Sequence, residues 1–314
     1  MNMDFRRLWE KYGTLGILLL IIILLGILSP HYFLTGNNLT QVVLQSSITI
    51  LLACGEFFAI LIAGIDLSIG SIVALTGMIT SKMMMSGFPV LVAIIIGGIL
   101  FGALLGAING NLVNITGLHP FIITLGTQAI YRGLTLIISN ARPVFGFPKG
   151  FIKGIAGWIW KIPIPVIIAL VVALILTFIT KKTKLGRNIY ALGGNSQAAW
   201  YSGINIKLHT LIVFIISGIC AGTAGVVLTA RLGAAEPLAG IGFETYAIAS
   251  AIIGGTSFFG GKGNIFGVVM GGLIIGVISN GLNILNVPTY YQQIVMGSLI
   301  IIAVSIDKIF SRRR

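Results

Sequence analysis

Three stretches of this chain, residues 12–55, 83–131 and 263–306, contain no Asp, Glu, Lys or Arg. A helix crossing the hydrocarbon core of a bilayer needs about 20 predominantly apolar residues, so each stretch has room for two crossings. Composition agrees. The 314 residues are 56% hydrophobic with a mean hydropathy of +1.05, and only 9% are charged, against roughly 25% in a soluble domain. Twenty basic and seven acidic residues could not cover the surface of a water-soluble globule of this size. A soluble enzyme, a nucleic-acid-binding domain and a disordered tail are excluded, whatever the net charge of +13 suggests. An all-α integral membrane protein remains.

Turn-formers and charges divide the apolar runs into ten segments, near 15–29, 41–63, 68–86, 90–114, 120–139, 164–180, 209–230, 244–259, 264–284 and 290–306. The first follows Arg6, Arg7 and Lys11, as a signal peptide would. The bulky Ser29-Pro30-His31-Tyr32-Phe33 offers no small-x-small cleavage site, so an uncleaved first helix is expected. Segment 244–259 is the weakest and is expected to be re-entrant or broken. Ten crossings from a cytoplasmic start place both termini in the cytoplasm. Arg6, Arg7, Lys11, Lys181, Lys182, Lys184, Arg187, Lys207, Lys262, Lys308 and Arg312–Arg314 then lie inside. Lys82, Arg142, Lys149, Lys153, Lys161 and Arg231 lie outside, which is the bias of the positive-inside rule. Most of the outside charges fall in 140–162, which reads as a short surface-lying segment.

Gly98, Gly102, Gly106 and Gly110 recur every four residues and make a smooth stripe down one helix face. Gly267 and Gly271, then Gly272 and Gly276, repeat the device. Close backbone approach through small residues holds helices together where lipid supplies no hydrophobic drive. A faint internal repeat relates Gly106-Ala-Ile-Asn-Gly-Asn-Leu112 to Gly276-Val-Ile-Ser-Asn-Gly-Leu282. These are the fourth and ninth crossings, of opposite direction, as in an inverted repeat. The halves would span about 41–139 and 209–306 of one transmembrane domain covering 1–314.

Little here could do covalent chemistry. Thr256-Ser-Phe-Phe-Gly-Gly-Lys262-Gly263 imitates a phosphate loop but lacks the first glycine and the final hydroxyl, so the chain is not expected to bind ATP. Cys54 and Cys220 sit in apolar runs as packing groups, with no metal or disulfide pattern. His31, His119 and His209 are scattered near segment ends. No catalytic group, cofactor site or metal site is expected. Among the seven acids, Glu56 lies mid-span and Asp66 in the break Gly64-Ile-Asp-Leu-Ser-Ile-Gly-Ser71. Intramembrane carboxylates are functional candidates by default. Capping the helix that opens at Leu67 or Ser68 is the structural alternative for Asp66.

Residues 181–208 form the long cytoplasmic loop. After a turn at Gly193-Gly194, Asn195 or Ser196 can cap a short helix through Ser202, stopped by Gly203. Small Ala198 and Ala199 beside large Trp200 suit a helix docked in a partner's groove. An interfacial helix lying on membrane lipid is the other reading.

These motifs together resemble the membrane subunit of bacterial sugar ABC importers, of the ribose permease type. The matching residues are Gly64–Ser71, Pro120-Phe-Ile-Ile-Thr-Leu-Gly-Thr127 with Arg132-Gly133, and Gly186-Arg-Asn-Ile-Tyr-Ala-Leu-Gly-Gly-Asn195. Ala198-Ala199 to Ser202-Gly203-Ile204, Ile253-Gly-Gly-Thr-Ser257, Gly260-Gly-Lys-Gly263 and Asn280-Gly-Leu282 complete the set. The resemblance covers about residues 40–307. It implies a bacterial cytoplasmic-membrane permease with a separate ATP-binding-cassette ATPase subunit, an extracytoplasmic sugar-binding protein and a second permease copy. It makes Gly193, Gly194, Asn195, Gln197, Ala198, Ala199, Ser202 and Gly203 the ATPase-coupling segment, with Gln197 where the wider pattern has Glu. Neutral sugars need exchangeable hydrogen-bond partners, and Asn109, Gln128, Asn280 and Asn283 are amides within apolar segments. Glu56 and Asp66 remain structural or gating candidates. Ribose leads as cargo, with xylose, arabinose, galactosides, a furanosyl signal molecule or a branched-chain amino acid as alternatives. An ion-coupled secondary transporter using Glu56 or Asp66 is the competing class, and a membrane enzyme lacks its catalytic cluster.

Overall fold

A computed structural model describes residues 2–311. Arg312–Arg314 lie outside the described residues, as do the side chains of Arg6, Arg7 and Lys11. The chain is almost wholly helical. Its elements are α1 (Asn2–Leu28), α2 (Gly36–Leu61), α3 (Ile69–Met85), α4 (Val90–Ala93), a π-helical stretch (Ile94–Leu100), α5 (Phe101–Thr116) and α6 (Pro120–Ser139). There follow α7 (Lys149–Ala156), strands β1 (Trp158–Ile159) and β2 (Ile162–Pro163), α8 (Ile164–Lys182), α9 (Lys184–Gly194) and α10 (Ser196–Tyr201). The last four are α11 (Ile206–Leu232), α12 (Phe243–Ile253), α13 (Ile265–Ile284) and α14 (Thr289–Ser311).

All ten apolar segments are helices, α4 and α5 forming one crossing through the π-helical stretch. Six of them are long and apolar enough to cross a membrane unaided. At 11 residues, α12 rises only about 16 Å, roughly half of a ~30 Å hydrocarbon core. The weak segment is therefore a half-helix, continued from Gly254 to Asn264 as irregular backbone. Local chemistry explains the starts: the side chains of Thr35, Thr183, Asn195, Asn205 and Asn264 accept hydrogen bonds from the first-turn amides of α2, α9, α10, α11 and α13.

Between α8 and α11 lie two helices, α9 as well as the expected short helix α10 that Asn195 caps. One expectation is corrected here. Gly193 and Gly194 are not a turn but the last turn of α9, and a Cβ at Gly193 would collide with the Leu61 carbonyl. Glycine is used there for close approach, not for turning.

The glycine stripe has a partner stripe. A Cβ at Gly102 or Gly106 would strike α11 at Gly218 or Phe214, and one at Gly218 or Gly222 would strike Gly102 or Gly98. Two antiparallel smooth faces thus meet backbone to backbone. On the other side, Gly272 and Gly276 of α13 close on Ile50 and Ser46 of α2, while Gly267 and Gly271 close on Gly254 and Ser250 of α12. The packing repeats: α11 lies on α5 and α3 as α2 lies on α13 and α12, with α2 and α11 against each other at the centre. Left-handed residues end equivalent helices, Ala63 (φ 58°) after α2 and Gly233 (φ 64°) after α11, then Gly117 (φ 67°) after α5 and Asn286 (φ 54°) after α13.

Contacts between connections respect alternation. Gly260 and Gly261 lie on Gly193, Gly194 and Leu61, all on one face of the bundle. On the opposite face Val144 pairs with Ala235, and Asn38 with Asn280. Cysteine placed at exposed Ser196, in a chain lacking Cys54 and Cys220, should therefore react with impermeant reagents only from the cytoplasm. Cysteine replacing Trp160, 97% exposed in the β1–β2 hairpin, should react only from outside. Labelling of position 196 from outside intact cells would overturn the topology.

Candidate functional site: a polar core between two broken helices

The segment from Ile62 to Ser68 leaves α2 at exposed Ala63 and turns back into the protein as non-helical backbone, with Asp66 and Ser68 fully buried. Such backbone is tolerated at membrane depth only where protein or a water-filled cavity satisfies it. Here side chains do so. The Asp66 amide donates to Glu56 Oε1 at 3.1 Å. Asp66 Oδ1 accepts from the Ser68 amide at 3.1 Å and its hydroxyl at 2.6 Å, and Oδ2 accepts from Ser217 Oγ of α11 at 2.7 Å. Asn109 Nδ2 of α5 donates to Ser68 Oγ at 2.8 Å, and Tyr131 OH of α6 donates within reach of Asn109 Oδ1 (3.1 Å) and the Leu105 carbonyl (2.9 Å). Thr124 Oγ1 donates to the Ile65 carbonyl at 2.9 Å. Asp66 thus ties the break to α2 and α11 as well as to its own turn, while Ser68 and Ile65 tie it to α5 and α6. The helix begins at Ile69, later than expected, and its first residue is preceded by Ser68, which makes no side-chain cap.

Asp66→Ala would strand three buried donors; at about 1–3 kcal/mol for each unsatisfied donor, a large loss is expected, read as reduced thermal stability in detergent. Glu56→Gln keeps an acceptor for the Asp66 amide and should cost far less. Equal losses for both would contradict this network.

A second break, residues 233–242, precedes α12. It meets the first: a Cβ at Gly70 would collide with the Gly240 carbonyl, and one at Gly240 with the Gly70 carbonyl. Arg132 of α6 bridges them. Its guanidinium donates to the carbonyls of Pro237 (2.6 Å), Ala239 (2.8 Å) and Gly70 (3.3 Å). Gln128, one turn away, donates to Glu244 Oε1 of α12 at 3.3 Å. Sequence reasoning passed over Arg132 and Glu244 as sites. Arg132 was legible as a lone charge inside an apolar segment, whereas the place of Glu244 depends on a tertiary contact.

The other amide candidates join helices. Asn280 and Asn38 exchange a reciprocal pair of hydrogen bonds at 2.9 and 3.0 Å, and Asn283 accepts from Gln292 at 2.8 Å. Asn280→Leu is expected to cost about 0.6–1.7 kcal/mol, the range for interhelical bonds in membranes, and Asn38→Leu added to it should restore most of that. Additive losses in the double variant would show that the pair does not interact.

At the end of the bundle that carries α9, Asn195 caps α10, its Oδ1 accepting from the Ala198 amide at 2.9 Å. Gly203 takes φ +79°. Gly194, Asn195, Gln197, Ala198, Ser202 and Gly203 are exposed, but Ala199 is buried in its own chain and Gly193 lies against Leu61. Trp200 and Tyr201 are 61% and 81% exposed with rings 5.0 Å apart. Beside them a shallow pocket is lined by Trp200, Gly203, Ile204, Asn205, Ile206 and Lys207. Tyr190 of α9 donates to the Gly263 carbonyl at 2.8 Å, and burial holds its phenol above the usual tyrosine range, so it stays a donor. Asp307 of α14 accepts from the Phe258 amide and Ser257 hydroxyl, both at 3.0 Å. The imitation phosphate loop is thus a connection packed against α9 and α14. Among the described residues no group of His, Cys, Asp or Glu could hold a metal ion.

A helical membrane domain whose two broken helices meet, here at Gly70 and Gly240, shares that feature with solute permeases. Residues 38–304 match the family described as branched-chain amino acid transport system / permease component, and the chain belongs to that family. It is a multi-pass protein of the cytoplasmic membrane. It is 65% identical over 309 residues to the D-allose transport system permease protein of Escherichia coli (strain K12), covering 98% of this chain and 95% of that protein. It is 38% identical to a ribose import permease protein of Haemophilus influenzae, covering 100% and 98%, and 34% identical to a xylose transport system permease protein of the same organism, covering 95% and 96%. No solved structure matches the chain.

Proposed function

We propose that this chain is the membrane subunit of a sugar importer, driven by a separate ATP-binding-cassette ATPase and fed by an extracytoplasmic sugar-binding protein, with D-allose as its cargo. The observation that carries the cargo is the 65% identity, over nearly the whole chain, to a permease named for D-allose. Ribose is the second reading, because permeases named for ribose match at 38–40%. Both sugars are neutral polyols with the same run of hydroxyl configurations, so one path chemistry suits both. Calorimetry of the cognate binding protein tests the choice: tighter binding of D-allose than D-ribose is expected, and the reverse order would hand the cargo to ribose.

Support for a separate ATPase comes from α10, which carries Gln197, Ala198, Trp200 and Tyr201 into the cytoplasm on a capped, six-residue helix. Exposed aromatics of that kind are anchors for a groove. Movement delivered there has a packed route inward. It runs from α9 through the glycine contacts at Gly193, Gly260 and Gly261 to Leu61, at the start of the first break. The repeated packing and equivalent helix ends favour two halves, about 41–139 and 209–306, related as an inverted repeat, since segments five crossings apart run in opposite directions. Such halves rock as bodies about a shared site. A second copy of the chain would complete the importer, and the exposed apolar faces of α1 and α8 suit membrane lipid.

A further inference from the structure

Gln128 and Arg132 lie one turn apart on α6, and Glu244 opens α12 beside them; all three are half-buried. Gln128 is eight residues from the start of a 20-residue crossing, about 12 Å along a ~30 Å helix, with Arg132 about 6 Å farther out. At that depth charged groups face protein or water, not hydrocarbon. No other element of this chain covers the α6 surface around them: Leu125, Ala129 and Ile130 are exposed, and nothing lies within 4 Å of where a Cβ at Gly126 or Gly133 would stand.

We propose that Gln128, Arg132 and Glu244 form a water-exposed station for a neutral polyol at the middle of the translocation path. This rests on the importer reading above. The chemistry suits a sugar in transit. One cation, one anion and one amide offer donors and acceptors without net charge, so a neutral polyol can exchange hydrogen bonds without being trapped. Within the station, the three carbonyl bonds of Arg132 also hold the two breaks together. Glu244 Oε2 has no hydrogen-bond partner here and lies against Gly70. Separation of the Gly70–Gly240 contact would open that oxygen to a hydroxyl, linking movement of the breaks to passage of the sugar.

The test uses the assembled importer in membranes, from a chain lacking Cys54 and Cys220, with and without ATP. Gln128→Cys and, as a second probe on the same face, Ala129→Cys should react with a hydrophilic methanethiosulfonate at least ten times faster than Leu174→Cys on the outer face of α8. Sugar-loaded binding protein should slow both. Glu244→Gln should lower maximal uptake at least tenfold while the ATPase co-purifies normally and the half-saturating sugar concentration is unchanged. Both probes inert in every nucleotide state, or wild-type uptake by Glu244→Gln and Gln128→Ala, would overturn the station. Failure of the importer reading would look different: no ATPase would co-purify with the unsubstituted chain, while the accessibility of positions 128 and 129 could still be read.

Discussion

Gly70→Ala should cripple the folded protein, although it adds one methyl group to a chain of 314 residues. The added Cβ would collide with the Gly240 carbonyl and press on Glu244 Oε2. Backbone cannot step aside as a flexible side chain can, so the loss should reach the upper end of the usual overpacking range, about 3 kcal/mol. Gly240→Ala should be at least as damaging, because it meets the Gly70 carbonyl and must also hold φ +75° with a side chain, a further cost of about 1–2 kcal/mol. The measurement is thermal unfolding in detergent together with the yield of monodisperse protein. Gly126→Ala is the control: open space surrounds it, and alanine favours the helix by about 1 kcal/mol over glycine. If Gly70→Ala melts with Gly126→Ala, the two breaks do not meet as described.

Trp200→Ala and Ala198→Arg should separate the permease from its ATPase while leaving the membrane domain folded. Both side chains are exposed on α10. Loss of a buried tryptophan anchor at an interface typically costs about 2 kcal/mol or more, close to a 30-fold weakening. Ala198→Arg adds a charge that the contact would have to desolvate. Ala199→Arg is the wrong variant for this purpose, because Ala199 is buried in its own chain and its replacement would disturb α10 before any partner is met. ATPase co-purification and sugar uptake, normalised to permease abundance, read the effect, with Trp160→Ala on the opposite face as control. Wild-type assembly by both variants would leave α10 as a helix lying on lipid.

The route by which each residue became legible differs. The apolar segments were readable because lipid imposes one requirement on every crossing, and length with composition reports it. The glycine stripe of α5 was readable as a packing face, but its partner on α11 was not, since Gly218 and Gly222 show no mark of which helix they meet. The fourfold amide list shows the limit of residue type: Asn109 and Asn280 bond to side chains within the bundle, exposed Asn283 bonds to Gln292 across the α13–α14 turn, and Gln128 lies on the half-buried face with Arg132 and Glu244. Gly193-Gly194 was misread as a turn because glycine serves both sharp bends and close approach. Sequence does not tell these apart when the approaching backbone, here Leu61, is distant in the chain.

By itself, then, the sequence determined that this protein lives in the membrane and where its ten apolar helices run. These are properties of single segments exchanging water for lipid. The meeting of the two breaks at Gly70 and Gly240, the Arg132 clamp across them and the burial of Asp66 among Ser68 and Ser217 were decided only in the tertiary structure. Each depends on which of many interchangeable apolar faces pack together, and that choice is made by backbone fit between remote glycines, not by the hydropathy of any one helix.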